Sequence, residues 1–219
     1  MTVTAVLFDL DGTLVDSNDY HVDAWSQAFR NHGLIVARTA IAAQMGKGGD
    51  LLVPSLFPEM ERSVQKHLAE SCGQIFKQQY LDQVRPFPGA TALLQRVHDA
   101  GQRIVFASSA SKSELEHHID LLDAGGLFDA VVDSDDVAAS KPAPDIFAVA
   151  LDKLSHPDPA EVLMVGDTPY DIEGAAACGI GTVAVRSGGF PEEALAAAIA
   201  IYDDVLELLS NYDRSPLAR

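Results

Sequence analysis

Short apolar runs alternate with stretches of helical periodicity over most of this 219-residue chain, and this alternation is what most constrains its fold. Runs rich in apolar and β-branched residues predict five buried strands, at residues 4–8, 103–108, 130–133, 162–166 and 182–185. Helical periodicity predicts helices at residues 90–100, 111–122, 144–154 and 171–178, and a Pro-Glu-Glu start predicts a last helix at residues 191–209. Alternating strands and helices predict an α/β fold with a mainly parallel sheet covered on both faces.

The segment between the first two predicted strands is too long for a simple crossover. About 94 residues separate Phe8 from Arg103, whereas a strand-helix-strand unit needs about 30. Helical patterning inside this segment predicts three helices, at residues 20–31, 39–45 and 60–80. No strand is evident there, and the stiff, hinge-like sequence Arg-Pro-Phe-Pro-Gly follows it. We therefore predict an α/β core made of residues 1–15 and 85–219, with an inserted helical cap subdomain at residues 16–84.

Composition limits the classes of partner. Asp and Glu outnumber Lys and Arg by 32 to 15, which gives a formal net charge of −17. A field of this sign repels polyanions and anionic lipid surfaces, so nucleic acid and membranes are not expected as partners. The longest apolar run has nine residues, from Ala194 to Tyr202, where a bilayer span needs about 20. Because the start MTVTAVLFDLD also lacks the features of a secretory signal, we expect a cytoplasmic protein. The sequence carries no indication of the oligomeric state.

Cysteine and histidine spacings do not predict a zinc site. Cys72 and Cys178 lie 106 residues apart, without a Cys-x-x-Cys or Cys/His pattern, and are predicted to pack in the core. Six histidines show no metal-binding spacing and are predicted to lie on the surface or in the cap: His32, His67, His98, His117, His118 and His156.

Polar residues follow the predicted strands at the points where the strands end, or open the helices that come next. They are four acids, two adjacent serines and one lysine: Asp9, Asp11, Asp167, Asp171, Ser108, Ser109 and Lys141. Because ligands of open α/β sheets bind beyond the carboxyl ends of the strands, we expect these side chains to share one edge of the sheet.

Such a set of side chains fits phosphoryl transfer. Clustered carboxylates repel one another unless a cation lies between them, and hard oxygen ligands suit Mg²⁺. A lysine and a hydroxyl suit a phosphoryl group. The chain has no Ser-His pair, reactive Cys pattern or P-loop glycine pattern, so a carboxylate is the available nucleophile and an aspartyl-phosphate the expected intermediate. In an extended segment Asp9 and Asp11 point to the same side, so both can act on one substrate.

Four motifs in this order resemble those of the haloacid dehalogenase superfamily of phosphohydrolases. They are DLDGT at the first strand, Ser108 after the second, the Lys141-Pro142 pair, and GDTPYD after the fourth strand. The match spans nearly the whole chain. The sequence VDSNDYHVDAW resembles the cap entry of the branch that holds phosphoglycolate phosphatase, sugar phosphatases and β-phosphoglucomutase. This resemblance implies a Rossmann-like parallel sheet core and a Mg-dependent phosphatase acting on a small phosphorylated metabolite.

The resemblance also implies a role for each motif residue. Asp9 attacks phosphorus, while Asp11 protonates the leaving alcohol and then activates water. Mg²⁺ is held by the Asp9 carboxylate, the Asp11 backbone carbonyl and Asp167. The remaining residues support these groups: Asp171 orients metal-bound water, Ser108 and Ser109 bind a phosphoryl oxygen, and Lys141 neutralises developing charge. In the cap, His21 and Lys47 are expected to face the substrate.

Several alternatives stay open at this point. A β-phosphoglucomutase-like enzyme tends to carry an acid before the fourth-motif aspartate, where this chain has Gly166. Phosphonoacetaldehyde hydrolysis needs a cap lysine that forms a Schiff base, for which Lys47 is suitably placed. A non-catalytic phosphate-binding or signalling module would share the acids, the lysine and Mg²⁺. Asp11 disfavours haloalkanoic acid dehalogenation, because that chemistry has no leaving alcohol to protonate. The substrate itself has no signature.

Overall fold

A computed structural model describes residues 2–219 of the chain and contains a six-stranded parallel sheet. Its strands are β1 (Ala5–Phe8), β4 (Arg103–Ala107), β5 (Ala130–Val132), β6 (Val162–Gly166), β7 (Gly181–Val185) and β8 (Ala200–Tyr202), with β2 (Val15–Asp16) and β3 (Arg85–Pro86) forming a separate ribbon. The strand order is β5-β4-β1-β6-β7-β8. All five predicted strands are present within one or two residues of the expected bounds, and the predicted α/β class is confirmed.

The sheet is buried because helices cover both of its faces. They are α5 (Ala90–Asp99), α6 (Lys112–Leu121), α7 (Asp145–Lys153), α8 (Pro169–Ala177) and α9 (Val205–Ser210). The central strand β1 shows the result most clearly, since every one of its residues is buried. Val6 and Phe8 belong to one apolar cluster, and Ala5 and Leu7 to another. The period of two along the strand thus divides β1 between the two halves of the core.

The insertion between β1 and β4 is helical, as predicted. It contains α1 (Asn18–Asn31), α2 (Arg38–Ala42), α3 (Gly49–Leu56) and α4 (Arg62–Gln79). Helix α1 buries Trp25 and Phe29, and α4 buries Leu68 and Phe76, within the same apolar cluster. Helix α3 is not among the predicted helices, because its glycine start and internal Pro54 hide the helical signal.

The two ends of the insertion lie side by side. Strands β2 and β3 are antiparallel, with Val15 opposite Pro86 and Asp16 opposite Arg85. The prediction of no strand near residue 16 is therefore wrong at this edge, because a two-residue ribbon is too short to leave a periodic signal. The ribbon lets the chain leave β1 and return to the sheet at nearly the same point.

The predicted helix at residues 191–209 is wrong. This stretch forms a 3₁₀ turn (Glu192–Leu195), strand β8 and then helix α9, whose start is capped by the Asp204 side chain. The alanine-rich sequence has high helix propensity, but hydrogen bonding along the open edge of β7 prevails.

The cysteines differ in burial, since Cys72 is buried in the cap whereas Cys178 is only partly buried. Among residues 2–219, no helix combines the length and the apolarity that crossing a membrane requires.

Candidate active site

The predicted site residues meet at the carboxyl edge of the sheet. Asp9, Ser108 and Asp167 directly follow the last residues of β1, β4 and β6, respectively. The register pairs Phe8 with both Phe106 and Val165, so the three strand ends are level. This alignment follows from the matched lengths of the buried apolar runs.

Three of the acids form a compact, buried cluster. Oxygen atoms of Asp9, Asp167 and Asp171 all lie within 4.8 Å of one another. Burial raises the pKa of Asp9 to about 7, with Lys141 opposing the rise and Asp171 and Asp11 adding to it. Burial and the charges of Asp9 and Asp171 also raise the pKa of Asp167 well above its usual range. A set of mutually repelling oxygen donors at one point fits a hard divalent cation such as Mg²⁺.

Lys141 supplies the positive charge inside this cluster. Its side chain is 1% exposed, and Nζ lies 2.6 Å from Asp9 Oδ1 and 2.7 Å from Asp171 Oδ1. Nζ also donates a 2.7 Å hydrogen bond to the Ala107 carbonyl. Burial works to lower the pKa of the ammonium, but the two carboxylates outweigh it and raise that pKa above its usual value. Lys141 Nζ therefore joins the ends of β1 and β4 to the start of α8.

Asp167 is held by hydrogen bonds from residues that follow β1 in the chain. Thr13 Oγ1 donates to Asp167 Oδ1 at 2.9 Å, and Asn18 Nδ2 donates to Oδ2 at 3.2 Å. Gly12 has a φ of +76°, and a Cβ at this position would collide with both Asn18 and Asp167. Glycine is thus required where the chain turns past the carboxylate.

Asp171 is fixed by the first turn of α8. Thr168 donates to Asp171 Oδ2 from Oγ1 at 2.7 Å and from its backbone N–H at 3.1 Å, which completes a capping box. The other oxygen, Oδ1, faces the Lys141 ammonium. Asp171 therefore orients Lys141 with one oxygen while the helix cap holds the other.

Asp11 has a different environment from the three clustered acids. One of its oxygens, Oδ1, lies 2.5 Å from Ser17 Oγ, 3.1 Å from His21 Nε2 and 3.3 Å from His118 Nε2. Burial works to raise the pKa of Asp11, but the two histidines outweigh it and lower that pKa well below its usual range. Burial works to lower the pKa of His21, but the Asp11 carboxylate outweighs it and raises that pKa. The His21 ring also stacks on Phe76, with ring centroids 3.8 Å apart.

His118 is the residue that the sequence prediction misplaced. It was predicted to lie on the surface or in the cap, but it is fully buried on α6 of the sheet domain. Helix α6 buries Glu114, Leu115 and His118, which share one face because of their three- and four-residue spacing. That spacing was the available signal, since a histidine one turn after a buried position faces inward.

The predicted phosphate-binding serines lie beside the acids. Ser108 is buried and its Oγ accepts a 3.1 Å hydrogen bond from the Ala110 N–H. Ser109 Oγ donates to the Gly46 carbonyl of the cap at 3.3 Å. Both serines line the same cavity as Asp9 and Asp11.

This cavity separates the sheet edge from the cap. It has a volume of about 160 Å³. The sheet domain contributes the two acids of DLDGT, the two serines, Ala110 and Glu114, and the cap contributes aromatic, small and polar residues that include His21, Trp25, Lys47, Cys72 and Phe76. A cavity with charged groups at its base and aromatic side chains opposite them fits a small polar molecule.

Lys47 lines the cavity, but its ammonium is hydrogen bonded within the cap. Nζ donates to Gln44 Oε1 at 2.7 Å and to Ser55 Oγ at 3.0 Å, and it lies 4.6 Å from the centre of the Tyr170 ring. Partial burial lowers the pKa of Lys47.

The cap loop is docked on the sheet domain next to Lys141. Ser140 Oγ donates to Asp50 Oδ1 at 2.5 Å, and the Ser140 N–H donates to Asp50 Oδ2 at 3.1 Å. The Gly48 N–H in turn donates to Ser140 Oγ at 2.9 Å. A second contact joins the Tyr170 hydroxyl to the Ala43 carbonyl at 2.6 Å. These contacts therefore hold the cap loop on the sheet domain beside the acids.

Comparisons with known proteins agree with this geometry. The family described as haloacid dehalogenase-like hydrolase matches residues 3–179. The phosphoglycolate phosphatase of Rhodospirillum rubrum is 31% identical over 93% of this chain and 88% of its own length. The putative pyrophosphatase PpaX of Caldanaerobacter subterraneus is 28% identical over 89% of this chain and 87% of its own length. The crystal structure of a hydrolase from Pseudomonas syringae superposes with a TM-score of 0.88 at 30% identity, covering 96% of this chain and 98% of that one.

Proposed function

Because the chain belongs to the haloacid dehalogenase-like hydrolases and is a phosphoric monoester hydrolase, we propose that it dephosphorylates a small metabolite through a phosphoaspartate on Asp9. One observation carries this proposal. Asp9, which pairs with the buried Lys141 ammonium, and Asp11 line a cavity between the sheet edge and the docked cap loop. A carboxylate, a fixed cation and a second acid are the groups that a two-step phosphoryl transfer needs.

Asp9, Asp167 and the Asp11 backbone carbonyl would hold Mg²⁺, as the resemblance to the family implies. Burial and the neighbouring carboxylates raise the pKa values of Asp9 and Asp167, a bound cation would favour their ionised forms, and the donors are all oxygen atoms. When bound, the ion supplies positive charge to the phosphoryl oxygens and to the ionised Asp9 carboxylate.

In the first step, an Asp9 oxygen attacks phosphorus and the bond between phosphorus and the ester oxygen breaks. Asp11 gives the leaving alkoxide its proton from Oδ2. The carboxylate that remains is stabilised by the 3.1 Å contact of Oδ1 with His21 Nε2. Lys141 neutralises charge on the Asp9 side of the phosphoryl group, and Ser108 and Ser109 bind its oxygens.

In the second step, water attacks phosphorus and the bond between phosphorus and Asp9 breaks. Asp11 takes the proton from water on Oδ2, so it regains the proton that it lost and Asp9 returns to its carboxylate form. The lowered pKa of Asp11 suits this step, because a base must be ionised before it acts. Both steps use the same Asp11 oxygen in opposite directions.

Hydrolysis is favoured over phosphomutase chemistry by Gly166. A Cβ at this position would lie 2.6 Å from Asp171 Cγ, so the side chain of an acid would displace the carboxylate that orients Lys141. The glycine is therefore tied to the packing of Asp171 and leaves no space for a mutase-type acid.

The cavity walls suggest which metabolites to test. Lys47 is the only lysine or arginine among the described residues that line the cavity, and its ammonium is already bonded to Gln44 and Ser55. Glu114 Oε2 accepts from Ser111, and Glu114 lines the cavity as well. A panel should therefore include neutral hydroxyl-bearing phosphates beside phosphoglycolate, nucleotides and pyrophosphate.

Phosphate release from this panel, with Mg²⁺ or with a chelator, tests the proposal. We expect multiple turnovers by the wild-type enzyme that require the metal and that Asp9→Asn abolishes. Asp19→Asn, which changes an exposed acid ten residues further on, is the matched control and should keep wild-type turnover. Turnover by Asp9→Asn at the wild-type rate would contradict the proposal.

A further inference from the structure

We propose that His118 is a positioning residue for Asp11, holding one carboxylate oxygen so that the other faces the reacting group. This inference rests on the proposed function, since it assigns Asp11 the acid and base roles described above. It concerns a histidine of the sheet domain that belongs to none of the four sequence motifs.

The polar contacts of the Asp11 carboxylate are asymmetric. Ser17 Oγ, His21 Nε2 and His118 Nε2 all approach the same oxygen, Oδ1, at distances between 2.5 and 3.3 Å. Among the described residues, none bonds to Oδ2, and Asp11 lines the cavity. Three groups on one oxygen restrict rotation of the carboxylate and leave Oδ2 for the proton that is given to the alcohol or taken from water.

The burial of His118 argues for a specific role. The side chain is fully buried, and within residues 2–219 neither ring nitrogen forms a well-aligned hydrogen bond, so the 3.3 Å approach of Nε2 to Asp11 is a close polar contact. Its nearest charged partner is Asp11, 3.3 Å away. A buried imidazole with no alternative partner is poorly suited to packing alone, because an apolar side chain would fill the space without leaving ring nitrogens unbonded.

His118 also differs from the other two groups in its location. Ser17 and His21 lie at the start of the insertion, in front of or on α1, whereas His118 and Asp11 both belong to the sheet domain. The contact between His118 and Asp11 is therefore internal to one packed unit. It gives Asp11 one contact that does not depend on how the helices of the insertion are placed.

A substrate with a good leaving group separates positioning from simple structural support. p-Nitrophenyl phosphate loses its phenolate without needing a proton, so its first step depends little on Asp11. Its second step still requires Asp11 to take a proton from water. Phenyl phosphate has nearly the same shape but a much poorer leaving group, so both of its steps depend on Asp11.

The experiment is rapid-mixing kinetics of the full-length enzyme with Mg²⁺ and these two substrates. The variants are His118→Phe, which removes the donor and keeps a ring, and His118→Gln, which restores a donor at similar reach. His117→Phe is the matched control, because His117 is the adjacent histidine on α6 and is only partly buried. A thermal melt of each variant confirms that it is folded at the assay temperature.

We expect His118→Phe to release one equivalent of p-nitrophenolate in a burst at a rate near that of the wild type. Steady-state turnover should then be lower than wild type by about 10- to 100-fold, part of the 10²–10⁴ that general acid-base catalysis contributes. With phenyl phosphate the burst should disappear. His118→Gln should recover most of the turnover, and Asp11→Asn should show the same pattern as His118→Phe with a larger loss.

Equal losses of burst rate and steady-state rate in His118→Phe would overturn the proposal, because they would indicate general damage to the site. Kinetics indistinguishable from those of His117→Phe would also overturn it. If His118→Phe does not fold, His118→Leu carries the same expectations. Failure of the proposed function has a different signature, in which the wild type gives no Mg²⁺-dependent turnover or Asp9→Asn keeps the burst.

Discussion

The sheet edge and the cap loop contribute to the same cavity but are built in different ways. At the sheet edge, Lys141 and Asp171 are almost fully buried, and each contacts more than one partner across strand ends. In the cap, the loop from Gly46 to Asp50 contacts the sheet domain mainly through Ser140, and Lys47 Nζ donates its hydrogen bonds to the cap residues Gln44 and Ser55. The candidate reacting groups are thus fixed by the core of the fold, whereas the cap side of the cavity is held by hydrogen bonds of a loop.

Removing the buried cation is the most severe way to disturb the sheet edge. Lys141→Met should lower turnover by about 10²–10³-fold, as loss of a transition-state charge partner does. It should also lower the free energy of unfolding by about 3–5 kcal/mol, because buried carboxylates lose their partner. Phosphate release and urea unfolding measure the two effects.

Lys153→Met is the control for this prediction. Lys153 also pairs with an acid, Asp136, but both side chains are about one-third exposed. Its loss should change stability by less than about 1 kcal/mol and leave turnover unchanged. Similar destabilisation by the two substitutions would show that the buried Lys141 pair contributes no more to stability than the partly exposed Lys153 pair.

The acid cluster predicts a metal-dependent stability. In the wild type, Mg²⁺ at about 100 times its dissociation constant should add about 2.7 kcal/mol, or roughly 5–10 °C in Tm for a chain of this size. Asp167→Asn removes one of three mutually repelling buried carboxylates, so its Tm in chelator should exceed that of the wild type. The variant should lose most of the Mg²⁺-induced rise, as differential scanning calorimetry can measure. A wild-type Tm that is the same with Mg²⁺ and with chelator would contradict the cation site.

Removing the hydrogen bonds that dock the cap loop should have a smaller effect, and this effect should be on KM. Asp50→Ala removes two hydrogen bonds to Ser140, worth about 1–2 kcal/mol together. We expect KM to rise by about 5- to 30-fold and kcat to stay within a few fold, since the reacting groups are untouched. Glu70→Gln, an exposed cap acid paired with Lys66, should change neither constant. A fall in kcat with unchanged KM would mean that the loop acts on the chemistry.

Substitution of Lys47 should have the smallest effect on turnover, and the size of this effect should depend on the substrate. Lys47→Met leaves the acids and Lys141 in place, so p-nitrophenyl phosphate turnover should stay within about threefold of the wild type. Ratios of kcat/KM among natural phosphates should change by up to about tenfold. Borohydride treatment with phosphonoacetaldehyde tests the alternative chemistry, and covalent labelling of Lys47 would show that this lysine forms a Schiff base.

The sequence could predict the candidate site at the sheet edge because strand ends carry a strong signal. Buried apolar runs locate β1, β4 and β6, and residues that follow parallel strands necessarily meet at one edge. This argument placed Asp9 and Asp167 together, and it requires no knowledge of side-chain packing.

Two errors show where the same reasoning fails. At residues 191–209, the helix propensity of alanine was overruled by pairing of β8 with β7, a long-range contact that propensity does not contain. His118 was missed because spacing along α6 predicts which face is buried but not what it meets there. The neighbour of His118, Asp11, is distant in sequence, and their 3.3 Å contact depends on how α6 packs on the sheet.

Trapping the covalent intermediate tests the account most directly. Wild type, Asp11→Asn and Asp9→Asn would be mixed with Mg²⁺ and radiolabelled p-nitrophenyl phosphate, quenched in acid within milliseconds, digested and sequenced by mass spectrometry. We predict label on Asp9 in the wild type, a larger labelled fraction in Asp11→Asn because hydrolysis of the intermediate is slowed, and none in Asp9→Asn. Product formation by Asp9→Asn at the wild-type rate, or label on any other residue, would contradict a phosphoaspartate mechanism.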